Sequence, residues 1–189
     1  MSAPRFDPLR RRLIAAAALA PFAAAPAAAA ASEEAQVIDL KADLALSRLF
    51  RSVRGSEELV REAKGVLVVP QVTKAGLFVG GLYGEGALRI NGTTVAYYAL
   101  AAASFGLQAG AQRFDQALLF MTTEALERFR RSEGWEIGVD AEVTTPERGI
   151  SATLNSTVAR NPVIAFTYGQ EGLMAGASVE GAKFTRIYN

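Results

Sequence analysis

The sequence contains neither cysteine nor histidine. The missing cysteine excludes disulfides, thiolate nucleophiles and a lipid-modified cysteine anchor, and the two absences together exclude Cys/His metal centres. Without histidine there is no Ser-His-Asp triad and no imidazole general base, so any catalysis would rest on carboxylates, Lys, Tyr or Ser. Net charge is scarce as well, at +1. Arg5, Arg10, Arg11 and Arg12 stand against Asp7 in the first twelve residues, and setting these five aside leaves 16 basic against 18 acidic residues. No global positive field therefore points to nucleic acid. What remains, 189 residues of which 50% are hydrophobic and 21% charged, suits one domain with a substantial core.

Residues 1–31 have the pattern of an export segment. The basic run Leu9–Arg12 precedes an uncharged Ala-rich stretch from Leu13, and Ala27–Ala31 offer small-residue cleavage sites. Cleavage is predicted between Ala29 and Ser32. Pro21, Pro26 and the weakly apolar alanines argue against a retained membrane span. The Arg-Arg-x-Leu-Ile order at Arg10–Ile14 admits the twin-arginine route beside the general secretory one. The expected compartment is the periplasm or the envelope, and residues 32–189 are expected to form a single domain.

From Glu33 to Arg54, apolar residues Val37, Leu40, Leu44, Leu46, Leu49, Phe50 and Val53 recur at helical spacing, with acids early, Arg48, Arg51 and Arg54 late, and Gly55 as a stop. Ser56 is predicted to cap a second short helix running to Lys64 and closed by Gly65. Beyond Gly65 the chain reads mostly as strand. Asn91-Gly92 predicts a type I′ hairpin. Ala117–Met121 is read as a strand, Thr123 as the cap of a helix ending at Gly134, and Trp135–Val143, Gly149–Leu154 and Val163–Tyr168 as further strands before the final segment Lys183–Tyr188.

The central stretch Ala63–Leu88, AKGVLVVPQVTKAGLFVGGLYGEGAL, joins two apolar runs through Pro70 and Lys74 and dissolves into Gly80, Gly81, Gly84 and Gly86. Glycines at this density mark a sharply curved sheet or a close backbone approach. They do not make a phosphate loop, because neither the dinucleotide nor the P-loop spacing is met.

Three stretches together carry a family resemblance: AKGVLVVP with KAGLFVGGLYGEG, SFGLQAGAQRFD at Ser104–Asp115, and GLMAGASVEG at Gly172–Gly181. The chain resembles the SYLF domain family. The resemblance implies a lipid-binding domain. Eukaryotic members bind phosphoinositides, fungal members also bind actin, and bacterial members are mostly exported. Eukaryotic members usually carry a companion SH3 or FYVE-type domain, whereas this chain is expected to be the SYLF-like domain alone behind an export segment, and actin is not an expected partner in a bacterial envelope. Lipid or membrane contact is thus the part that transfers.

The expected fold is α+β: N-terminal helices, then a strongly curved, barrel-like antiparallel sheet with one short inserted helix. The expected function is non-enzymatic binding of anionic lipid or a membrane surface. On the helix ending SRLFRSVR, Arg48, Arg51 and Arg54 beside Leu49 and Phe50 could lie in a membrane interface, or else the apolar stripe packs on the sheet and the arginines are solvated. In the glycine-rich stretch Lys74, Tyr83 and Glu85 are the side chains expected to meet a ligand, with Glu85 also open to a purely structural role. Arg128, Arg130 and Arg131 read as dipole partners of their own helix, and the sequons at Asn91 and Asn155 as turn chemistry. No cofactor or metal is expected. A self-associating or protein-binding envelope module is the alternative, and a hydrolase built on a pair among Glu85, Asp115, Asp140 and Glu180 a distant third.

Overall fold

A computed structural model describes residues 25–76, 79–105, 110–137, 162–172 and 181–188, with side chains from Glu33 onward except at positions 79, 104, 105, 172 and 188. Helix α1 spans Ala25–Ser52 and α2 Ser56–Glu62. Between them Gly55 adopts φ 84°, a conformation that glycine reaches without steric cost. Gly55 therefore ends the first helix as expected. It is also the residue before α2, while Ser56 spends its hydroxyl on the Leu49 carbonyl, 3.2 Å away, instead of capping. Gly65 opens the first strand; α2 has already ended at Ala63.

Strands β1 (Gly65–Gly76), β2 (Val79–Ile90), β3 (Thr93–Phe105) and β4 (Gly110–Phe120) follow, then α3 (Thr123–Arg131), the short β5 (Trp135–Glu136), β6 (Val163–Gly172) and β7 (Lys183–Tyr188). They form one antiparallel seven-stranded sheet in the order β5-β7-β3-β2-β1-β4-β6, curved into a half-barrel. The expected α+β architecture holds, and in the described residues the sheet stays open, with β5 and β6 at its edges. Asn91 (φ 51°) and Gly92 (φ 77°) make the anticipated tight turn between β2 and β3. Thr122, one residue earlier than expected, caps α3 by accepting from the Ala125 N–H at 3.2 Å. Of the strand read at Trp135–Val143 only the beginning is described, and the one read at Gly149–Leu154 lies outside the described residues.

Alternation divides the sheet into two packed faces. One carries an aromatic cluster in which Phe129 of α3 meets Tyr98 and Phe120 at ring-centre distances of 4.7 and 4.8 Å and Trp135 at 5.4 Å. The other carries α1, whose Ile38, Ala42, Ala45 and Leu49 are buried with Val66, Val68, Ala87, Ala117 and Leu119. Alanine against alanine brings helix and sheet close. Val37, Leu40 and Leu44, the first residues of the helical periodicity in the sequence reading, point outward at 47%, 66% and 60% exposure. Only the later residues of that reading, Leu46, Leu49, Phe50 and Val53, pack on the cluster.

Candidate functional site

The organising defect of the sheet is in β1. Pro70 has no N–H to give to a ladder, so a proline in a central strand calls for a bulge. The register between β1 and β4 shifts between Val69 and Val72, and Gln71 turns to φ 51°. The glycines of β2 serve this bulge. A Cβ on Gly84 would stand 2.9 Å from Val69 Cγ1, and one on Gly86 would fall on the Val68 carbonyl oxygen. These two are glycine because β1 leaves no room for a side chain.

The bulge also turns the Gln71 N–H toward Asp115 Oδ1, 2.9 Å away. Asp115 is buried and accepts two further bonds from Arg48 of α1, from Nε at 2.6 Å and Nη2 at 3.0 Å. Gly169 of β6, at φ 63°, makes space, since a Cβ there would lie 3.2 Å from Asp115 Oδ2. The bond to Asp115 holds the Arg48 pKa above its ordinary value. Burial pushes the neighbouring Tyr168 hydroxyl up, and the charge of Asp115 adds to the shift.

A second clamp holds the other end of the helix contact. Asp39 accepts from Thr94 Oγ1 at 2.7 Å and Tyr97 Oη at 2.8 Å, while Arg89 reaches Asp43 Oδ1 at 2.5 Å and the Asp39 carbonyl at 3.1 Å. Burial, then the bond to Asp39, pushes Tyr97 up to about 12. Neither clamp was singled out from the sequence. Pro70 in an apolar run was the available signal for the first, and Asp39 and Asp43 at helical spacing for the second.

Together the clamps fix the rotation of α1 and so decide what it shows to solvent. Val37, Leu40 and Leu44 lie on the side opposite Ile38, Ala42, Ala45 and Leu49, flanked by exposed Lys41 and Arg51, with exposed Arg54 just past the helix end. The residues singled out from the sequence thus separate. Arg51 and Arg54 are free of ion pairs among the described residues, Arg48 is committed to Asp115, Leu49 is fully buried and Phe50 packs partly on the sheet. Lys74, Tyr83 and Glu85 are not brought together. Exposed Tyr83 donates to Glu85 Oε1 at 2.5 Å on the α1 face, while Lys74, opposite Leu82, is buried on the aromatic face. Of the four carboxylates considered for hydrolysis, Asp115 and Glu85 are bonded as described, and Asp140 and Glu180 lie outside the described residues. Among the described residues no helix is long and apolar enough to cross a membrane.

A family model described as Ysc84, Las17-binding protein actin regulator, matches residues 101–188, from within β3 to the end of β7. Over this span the chain is similar to the SYLF (Ysc84) family, in agreement with the resemblance carried by its sequence. The chain matches none of the curated proteins compared with it. SYLF domains are in general non-enzymatic binding domains linked to lipid or actin-related binding. The SYLF match includes Asp115 on β4 and the neighbouring strand β6, whereas α1 and the Pro70 bulge of β1 precede it.

Proposed function

We propose that this protein is a non-enzymatic lipid-binding protein of the bacterial envelope, which meets an anionic membrane surface through the outward face of α1. The observation that carries this reading is the exposed stripe Val37, Leu40 and Leu44 beside Lys41, Arg51 and Arg54. The helix satisfies the core with a different set of residues, Ile38, Ala42, Ala45 and Leu49, so the outer stripe is spare. An apolar stripe bordered by cations lies in an interface with its side chains among the acyl chains and its charges on the headgroups. The family's general link to lipid supports the same reading.

Export places the domain where such a membrane is. We take residues 1–31 as a removed leader, which would shorten α1 to begin near Ser32 and leave both clamps intact, since they start at Asp39. Actin is not the partner proposed in that compartment.

The test is co-sedimentation of the mature chain with phosphatidylglycerol vesicles. Binding is expected to weaken as salt rises and to fall at least about thirtyfold in K41E/R51E, since each of the two cations near an anionic surface adds about 1 kcal/mol and the reversal adds repulsion. Arg48 is left unchanged, because its loss would strike the fold. Unaltered binding in K41E/R51E would overturn the reading. The same stripe would serve a protein–protein contact, and a dimer by light scattering that L40S/L44S abolishes, with no vesicle binding, would favour that alternative.

A further inference from the structure

The aromatic face of the sheet is not apolar throughout. Along β4 the side chains on this face are Gln112, Phe114, Gln116, Leu118 and Phe120, because Phe114, Leu118 and Phe120 belong to the aromatic-face cluster and alternation assigns the glutamines to the same side. Lys74 lies directly across from Gln112, and Thr167 directly across from Gln116. Cross-strand partners of this kind stand about 5 Å apart at Cβ. The two polar pairs flank the single row formed by Val72 and Phe114 and are about 13 Å apart along the strand. They occupy the end of β4 remote from α3, whose Phe129 stacks on Phe120.

Three of these groups have buried polar atoms without a partner, and the fourth is Lys74. Gln116 is fully buried with neither its amide oxygen nor its nitrogen hydrogen-bonded, Gln112 is 3% exposed with its oxygen unbonded, and Thr167 has a buried unbonded hydroxyl. Lys74 is 7% exposed and has no ion pair among the described residues. A buried primary amide with no bond at all is costly to keep, and a lysine of little exposure with no ion pair among the described residues has its charge free for a partner. These four side chains stand on paired positions of three adjacent strands and offer donors and acceptors to a ligand.

We infer that Lys74, Gln112, Gln116 and Thr167 form an internal binding site for a singly charged oxyanion joined to a neutral hydrogen-bonding group. One ammonium is balanced by one negative charge, and a dianion would leave charge buried. The anion sits at Lys74 and Gln112, and the neutral end, a hydroxyl or an ester carbonyl, reaches Gln116 and Thr167. The chemistry is that of a phosphodiester or a carboxylate, from a lipid headgroup or from a free acid. This site lies on the opposite side of the sheet from α1 and does not depend on the membrane contact proposed above.

The test uses the mature chain and three probes: dihexanoylphosphatidylglycerol below its micelle concentration, octanoate, and inorganic phosphate at matched ionic strength. Binding is read by titration calorimetry and by native mass spectrometry. The phospholipid is expected to bind in a one-to-one complex, K74M to abolish binding, and Q116L to weaken it about tenfold, the equivalent of one lost hydrogen bond. Octanoate, which has the carboxylate but no neutral polar group, is expected to bind more weakly than the phospholipid, and phospholipid binding that K74M abolishes but Q116L leaves unchanged would overturn the assignment of Gln116 and Thr167 to the site. Binding of phosphate alone, binding of none of the three, or affinity unchanged in both K74M and Q116L, would overturn the inference. Ligand-free Q116L is expected to melt no lower than the wild-type chain, because it removes an unpartnered buried amide, and vesicle binding is expected to persist in it and in K74M. A loss of vesicle binding confined to K41E/R51E therefore separates the two sites.

Discussion

At Asp115 one buried carboxylate serves three partners from three elements: Arg48 of α1, the N–H freed by the bulge in β1, and the space left by Gly169 of β6. Removing it strands a guanidinium and a backbone donor, so D115A is expected to lose roughly 2–3 kcal/mol, less than a fully buried pair because Arg48 keeps 35% of its side-chain surface in water. Urea denaturation followed through the single, buried Trp135 measures this. By the same reasoning G86A is expected to cost about 3 kcal/mol, since the added methyl would need the Val68 carbonyl to move. Tyr97 and Tyr168 give the fold an alkaline limit. Both hold their protons more tightly when folded, so the unfolded chain loses its tyrosine protons first and stability falls as pH rises from 10, the ordinary tyrosine value, through about 12 for Tyr97. Below pH 10 their contribution is fully present. Urea midpoints between pH 9 and 11 are expected to drop more steeply in the wild-type chain than in Y97F/Y168F, and equal slopes would contradict the assignment.

At the scale of the element, α1 shows how far a sequence discloses a helix. Its existence, its stop at Gly55 and its basic end were legible from periodicity and the placement of charge. Which stripe faces the sheet was not. Leu40 and Leu44 are more apolar than Ala42 and Ala45, but the sheet beneath presents Ala87 and Ala117, and a close approach favours small residues on both sides. Side-chain hydropathy does not encode that distance, and the two clamps that enforce it join residues 46 to 67 positions apart. L40S/L44S is accordingly expected to leave stability within about 0.5 kcal/mol, whereas A45L is expected to destabilise by roughly 1–3 kcal/mol through overpacking. Thermal melts of both variants distinguish the outward stripe from the buried one. The β2–β3 hairpin was legible because Asn91-Gly92 is a local signal. The β1 bulge was only half so: proline and glycines announced a distortion, while its purpose depends on Asp115, 44 residues away from Gln71.

For the whole molecule, one curved sheet separates two chemistries. Its α1 face is closed by the clamps and carries the helix whose outer stripe we assign to the membrane. Its other face is sealed by aromatics at one end and lined with unpartnered polar groups at the other. The general expectation of a helix-flanked, strongly curved sheet came from the order of elements and the glycine density, and the structure bears it out. The division of labour between the faces was not legible, because it depends on register: Lys74 and Glu85 come from the same glycine-rich stretch and end on opposite sides. Absence of cysteine gives direct access to the central claim, since a single cysteine can be introduced and labelled with an environment-sensitive fluorophore at Leu44, and separately at Tyr83 on the strand surface. With phosphatidylglycerol vesicles, the label at position 44 is expected to shift to the blue and gain intensity while the label at 83 stays as in buffer. An unshifted label at 44, or a shift at 83 alone, would contradict an α1-mediated membrane contact.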